Sequence, residues 1–182
     1  MGGVQKALLL APDTGESLIA RTLRLGREAG HELVLLGAAE LGDAVSGVLQ
    51  LPDAADIGPL AALQSLLAYA GERDALCLAC DMPYVSAELL RKVAEEEGGL
   101  GFGTETAEVV AARDEQTGKW EAMFARYRSA AVAPLLERAL ADGERSFQGL
   151  FARLNIRELK LDASERALLR DWDTPEDMRA PG

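Results

Sequence analysis

The stretch Ala75-Leu76-Cys77-Leu78-Ala79-Cys80-Asp81-Met82-Pro83 decides how this sequence folds. An apolar run of strand length, rich in small residues, stops at a carboxylate and a proline, and a stretch of helical period begins at Ser86. It reads as a strand that runs into a loop and then a helix. The same alternation recurs in both directions. Apolar runs at 32–36, 48–51, 109–113, 120–127 and 158–161 join the run at 75–79, and helical stretches fit 17–29, 59–70, 86–97, 130–141 and 146–154. Strands alternating with helices are the pattern of βαβ units, so the class is α/β, a three-layer doubly wound arrangement around a mostly parallel sheet.

Several boundaries carry their own chemistry. Ser86 before Glu88 suits a helix cap, Pro59 a first helical position, and Gly98-Gly99 and Gly143 helix ends. Residues 114–119, Asp-Glu-Gln-Thr-Gly-Lys, read as a polar hairpin loop between two strands. No repeat, low-complexity tract or linker divides the chain, so residues 1–182 form a single domain.

Composition excludes several functions. The chain carries 19 basic against 30 acidic residues, a net charge of -11, which opposes non-specific binding to nucleic acid or anionic lipid. There is neither a membrane-spanning apolar stretch nor a signal segment, so the expected location is the cytoplasm. The single histidine, His31 in the turn Ala29-Gly30-His31, rules out a multi-histidine metal site, and a histidine-centred triad anywhere else, and reads as a solvated turn residue. Cys77 and Cys80 lie three apart in an extended run, on opposite faces, and read as core thiols rather than a redox pair.

Three constellations could do chemistry. Asp81 stands at the carboxyl end of a strand, where open α/β sheets bind ligands, and a carboxylate there can hold Mg²⁺ against phosphate oxygens. The residues alone leave this open against a turn cap before Ser86. Asp53 and Asp56 precede Gly58-Pro59-Leu60 at a helix start, where glycine permits close backbone approach and N–H donors are free. A ligand-free turn is the commoner meaning of that pattern. In Arg170-Asp171-Trp172-Asp173-Thr174-Pro175-Glu176-Asp177, Asp171 or Asp173 could join Asp81 at a metal, or the segment could simply cap a helix.

Taken together, Met1-Gly2-Gly3-Val4-Gln5-Lys6-Ala7-Leu8-Leu9, Gly58-Pro59-Leu60-Ala61, Cys80-Asp81-Met82-Pro83, Met123-Phe124-Ala125-Arg126-Tyr127 and Asp173-Thr174-Pro175-Glu176-Asp177 resemble, in order, the molybdenum cofactor guanylyltransferase family. That family belongs to the Rossmann-like nucleotidyltransferases, with the fold of the nucleotide-diphospho-sugar transferases. The resemblance implies transfer of GMP from GTP to molybdopterin with release of pyrophosphate, Mg²⁺ as cofactor, and molybdoenzyme-specific chaperones as further partners. It assigns phosphate contact to Lys6, catalysis to Lys6 and Asp81, metal binding to Asp81 and Asp173, and nucleotide binding to Lys6, Asp53, Gly58, Pro59 and Leu60.

The family pattern opens with a strand and a Gly-rich loop, and Met1 aligns inside its Arg-Met-Gly, so the resemblance puts the first strand and most of that loop ahead of Met1. A second alignment makes residues 6–11 the first strand and residues 12–17 the loop. Ala38 stands where the family often has an amide side chain for guanine, Ala62 where it has a small glycine, and Asp173 where it has asparagine. Two other functions therefore stand beside guanylyl transfer: a catalytically silent nucleotide- or cofactor-binding paralogue, and a cytidylyltransferase acting on the same pterin.

Overall fold

The computed structural model describes residues 6–37, 41–52, 58–96 and 106–172. Its strands are β1 (Val34–Leu36), β2 (Leu49–Leu51), β3 (Asp74–Leu78), β4 (Val109–Arg113), β5 (Trp120–Arg128) and β6 (Ile156–Glu158), and its α-helices are α1 (Leu18–Glu28), α2 (Pro59–Ala70), α3 (Ala87–Glu95), α4 (Ser129–Ala141), α5 (Phe147–Phe151) and α6 (Ala163–Ala167). β1 and β2 pair in parallel as one sheet, and the second sheet has the order β3-β5-β4-β6. In that second sheet β4 and β6 are parallel, while β5 runs antiparallel to both of its neighbours. The β4–β5 pair closes through the polar loop read from sequence, where the Asp114 carboxylate accepts from the Gln116 N–H at 3.0 Å and the Thr117 hydroxyl at 2.8 Å.

The strands alternate their side chains between two cores, which is what the period of two requires of a sheet covered on both faces. On one side Ala75 and Cys77 of β3, Val109 and Ala111 of β4, and Ala125 and Tyr127 of β5 meet Leu60, Leu63 and Leu67 of α2 and Val132 and Leu136 of α4. On the other, Val110, Ala112 and Phe124 meet Leu89, Leu90 and Val93 of α3 and Leu25 of α1. Tyr127 is fully buried, and its hydroxyl donates to the Ala122 carbonyl at 2.8 Å. Cys77 and Cys80 are free thiols.

Several expected boundaries move. The strand expected at 158–161 pairs instead at Ile156–Glu158. Leu159 still donates its N–H to the Ala111 carbonyl of β4 at 2.9 Å, and it and Leu161 are buried, so the alternation ran on past the end of the ladder. The helix expected at 146–154 is only Phe147–Phe151, and α6 was not expected at all; its signal is the capping box of Asp162 and Glu165. Residues 6–11 do not form the first strand of the second alignment: Lys6–Leu8 is a 3₁₀ turn, and Leu10 makes an isolated bridge to Ser17.

Candidate functional site

β3 ends at Leu78, and the chain leaves the sheet through Ala79, whose N–H donates to the Met123 carbonyl at 2.9 Å. The next turn is fixed from beneath by buried Met82 and Val85. Ser86 caps α3, accepting the Leu89 N–H at 3.2 Å. Ser86 thus performs the helix capping, and Asp81 turns its carboxylate toward Lys6. The Lys6 ammonium donates to Asp81 Oδ2 at 3.2 Å, with side chains 31% and 22% exposed. Two residues separated by 75 positions thus meet at the carboxyl end of β3, on the rim of a cavity of about 610 Å³.

A second contact ties the end of the described chain to the same place. The Trp172 N–H donates to the Asp81 carbonyl at 2.9 Å. The Trp172 ring, 4% exposed, packs with Leu9, Ala11 and Leu18 and meets Tyr84 edge-on at 6.4 Å, while Arg170 lies over the Tyr84 ring at 4.9 Å. The sequence reading singled out the carboxylates of this segment and passed over Trp172, which fastens it. Asp171 is exposed, and its charge, after burial, helps hold the Glu121 carboxyl above the usual carboxylate range. Glu121 lies within β5 and carried no signal in the sequence.

Gly58, Pro59 and Leu60 start α2 as expected. Gly58 is the N-cap with φ 83°, a left-handed value that needs glycine, and Pro59 takes the first turn, where no N–H is required. The Leu60 side chain is fully buried in the core, so what this residue can offer a ligand is backbone. Among the described residues that line the cavity beside Asp81, α2 contributes Leu66, Tyr69 and Ala70 rather than its first turn. Asp53, Ala38 and Asp173 lie outside the described residues.

The loop at 12–17 is tied into α1. The Asp13 carboxylate accepts from the buried Arg21 at 3.0 Å, Glu16 accepts from Arg24 at 2.6 Å, and Ser17 caps the helix, accepting the Ala20 N–H at 3.3 Å. Asp13, Glu16 and Ser17 are therefore committed to the helix they precede. Of the cysteines, Cys77 is wholly buried, and burial pushes its thiol up to about 12. Cys80 borders the cavity, its thiol raised by burial and then by the neighbouring Asp81 charge.

No group of three or more His, Cys, Asp and Glu side chains suited to a metal occurs among the described residues. The donor set at the β3 end is one reachable carboxylate beside a cation. A hard carboxylate oxygen of this kind fits Mg²⁺, which is characteristically held by one or two carboxylates, several waters and substrate phosphates. No helix among the described residues is long and apolar enough to cross a membrane.

The chain is similar over most of its length to known proteins. It is 33% identical to the molybdenum cofactor guanylyltransferase of Pseudomonas putida over 98% of this chain and 89% of that one. It is 35% identical to an Opitutus terrae protein named "Probable molybdenum cofactor guanylyltransferase" over 90% of this chain and 80% of the relative. Its fold matches the crystal structure of molybdopterin-guanine dinucleotide biosynthesis protein A from Archaeoglobus fulgidus with a TM-score of 0.73 at 20% identity, covering 97% and 88% of the two chains. It also matches the 2-C-methyl-D-erythritol 4-phosphate cytidylyltransferase of Thermus thermophilus with a TM-score of 0.65 at 17% identity, covering 96% and 90%. At those identities the two structures speak for the α/β nucleotidyltransferase fold alone. The family model of the MobA-like NTP transferase domain matches residues 1–170, and the chain belongs to that family.

Proposed function

We propose that this protein transfers GMP from GTP to the terminal phosphate of molybdopterin, releasing pyrophosphate, with Mg²⁺ as its metal ion. The observation that carries this reading is the 33% identity to a guanylyltransferase of that substrate class across 98% of the chain. The Lys6–Asp81 pair at the carboxyl end of β3 supports it independently, because it gathers a cation and a metal-binding carboxylate where an α/β sheet receives its ligand.

The transfer needs no covalent intermediate. A molybdopterin phosphate oxygen attacks the α-phosphorus of GTP, a new P–O bond forms there, and the bond from the α-phosphorus to the bridging oxygen breaks, with its electron pair leaving on pyrophosphate. Two polyanions must be held in line, so positioning and charge neutralisation supply most of the rate. Asp81 would hold the Mg²⁺, which when bound would supply charge neutralisation at the phosphates. Lys6 is a flexible point charge that exchanges its carboxylate partner for the departing pyrophosphate oxygens. Asp53, Gly58, Pro59 and Leu60 belong in this proposal to the nucleoside end of the site, and Asp173 to the metal. Molybdoenzyme-specific chaperones would take the product onward.

The decisive experiment incubates the purified chain with molybdopterin, Mg²⁺ and either GTP or CTP, and follows pyrophosphate release alongside the mass of the pterin product. A guanine dinucleotide formed from GTP is expected. Product from CTP alone would make the protein a cytidylyltransferase. Nucleotide binding with no product from either would make it a silent paralogue.

A further inference from the structure

Glu121 is a carboxylate that the fold leaves without a counterpart. It is half-buried within β5, yet among the described residues no hydrogen bond or ion pair reaches it. Burial and the charges of Asp171 and Asp114 hold its carboxyl above the usual carboxylate range. Two arginines near this end of β5 are committed elsewhere. Arg113, opposite Trp120 in the β4–β5 ladder, donates to the Gly118 carbonyl at 2.8 Å and lies over the Trp120 ring at 5.3 Å. Arg166 donates to the Arg113 carbonyl at 2.9 Å and pairs with Glu115 at 3.0 Å. Withdrawing an acceptor from water without giving it a donor is costly, and a ligand that brings the donors removes that cost.

The position of this carboxylate is built. Where β3 ends, the Ala79 N–H donates to the Met123 carbonyl at 2.9 Å. Asp81 lies two residues past that bond on one chain, and Glu121 two residues past it on the other. The segment of Asp171 and Trp172 spans the two places: the Trp172 N–H donates to the Asp81 carbonyl, and the Asp171 charge acts on Glu121. The residue before Glu121 is clamped. The Gln148 side-chain amide accepts from the Trp120 N–H at 3.1 Å and donates to the Trp120 carbonyl at 2.8 Å, while the Trp120 ring packs on Phe151. A side chain on so fixed a strand is presented more precisely than one on a loop.

We propose that Glu121 recognises the acceptor of the transfer, taking the pterin ring by its N3–H and 2-amino group. This assignment rests on the reading of the protein as a molybdopterin guanylyltransferase. Three features select the ligand. First, β3 has β5 on one side and the cavity bordered by β1 on the other, and α2, whose start is assigned to the nucleoside, follows β2. The acceptor therefore approaches the α-phosphorus from the β5 flank. Second, an ionised carboxylate offers two acceptor oxygens and no donor, and the pterin edge offers two adjacent donors in one plane, a fork like that of a guanidinium. Third, a metal ion is a poorer occupant, because no group of three or more His, Cys, Asp and Glu side chains suited to one occurs among the described residues. Guanine carries the same pair of donors in its N1–H and 2-amino group, so the nucleotide base is the rival source of this chemistry.

The test titrates the full chain with 6-hydroxymethylpterin and with 6-hydroxymethyllumazine, which has an oxygen in place of the 2-amino group. The parent should prefer the pterin by about 100-fold or more. Glu121→Gln puts a donor where one acceptor was, so pterin affinity should fall by about 30-fold and the preference narrow to about threefold. In turnover the variant should raise KM for molybdopterin by a similar factor, with kcat and the affinity for GTP held within about threefold. Its melting temperature should hold or rise, since a half-buried unpaired charge is removed. Loss of GTP affinity with pterin affinity intact would assign the carboxylate to guanine and overturn the proposal. So would a parent that binds neither ring or both equally, a variant with unchanged pterin affinity, or a fall in the variant's melting temperature of more than about 4 °C, the mark of a structural role. The ring titrations use neither GTP nor turnover. Pterin discrimination through Glu121 in a chain that makes no guanine dinucleotide would sink the transferase reading alone, and transfer with discrimination untouched by Glu121→Gln would sink this assignment alone.

Discussion

At the scale of single residues, Asp81 is the side chain on which the proposed chemistry depends. Asp81→Asn should lower GMP transfer by about 100-fold or more, since it removes a charge aimed at the reacting phosphates. The fold should survive. The partly exposed Lys6–Asp81 pair contributes within about 1 kcal/mol, so the melting temperature should move by no more than about 4 °C. Pyrophosphate release and calorimetry on the same sample separate the two effects, and near-normal turnover would transfer the metal role to Asp173. Cys77 supplies a second test. Its thiol rises from 9.0 to about 12 in the folded chain, so the neutral thiol's contribution to stability is complete below about pH 9 and is lost as pH climbs through that window. Urea midpoints should therefore fall from pH 9 upward, and less steeply in Cys77→Ala, where buried Tyr127 still titrates. In the native protein at pH 8, an alkylating reagent should modify Cys80 slowly and leave Cys77 intact.

At the scale of elements, α2 depends on a backbone conformation and α1 on an ion pair. Gly58 adopts φ 83° and ψ -162°, and a Cβ added there would meet nothing within 4 Å. Gly58→Ala should therefore cost about 1–3 kcal/mol through backbone strain alone, a fall of roughly 3–10 °C in melting temperature. An unchanged melting temperature would mean that α2 begins elsewhere. In α1, Arg21 is 7% exposed and donates to Asp13 and to the Val85 carbonyl. Burial opposes ionisation of Asp13, yet its bonds to Arg21 hold the carboxyl below the usual 3.8. The pair's stabilisation is thus present above about pH 4 and lost as pH falls through the depressed value. Asp13→Asn should destabilise at pH 7 by about 1–2 kcal/mol, a figure kept low because Asp13 is half-exposed. The variant should also lose less stability between pH 4 and 2 than the parent, as acid titration of unfolding would show.

For the whole molecule, the arrangement and charge of the sheets decide how it unfolds, exchanges and binds. We take residues 1–182 as one domain, in which the two tryptophans report from different regions, Trp120 in β5 and Trp172 beside Asp81. Their fluorescence and the far-ultraviolet dichroism should lose native signal in one coincident transition. Amides of β5, paired on both sides, should exchange most slowly, and those of the β1–β2 pair should open first. Separate transitions would divide the chain between its two sheets. The net charge of -11 opposes a triphosphate, so GTP affinity should fall by at least about tenfold when Mg²⁺ is withheld, measured by titration calorimetry.

The sequence by itself determined the class of the fold, the place of β3 and the residues that start α2 and α3. Those features rest on period, length and capping chemistry, which act within about a dozen residues. It also singled out Asp81, because a carboxylate after a strand and before a proline is a local pattern. It could not show that Lys6, 75 positions away, would reach that carboxylate, nor that Trp172 would fasten to its carbonyl. Nor could it tell that the β6 ladder begins at Ile156 and ends at Glu158 while Leu161 beyond it is buried, because apolar alternation reports burial and is silent about which backbone stands alongside. The strand order β3-β5-β4-β6 among the described residues was decided only in three dimensions. Strand order is a choice among long-range pairings, and an edge becomes visible only when every other strand has taken its place.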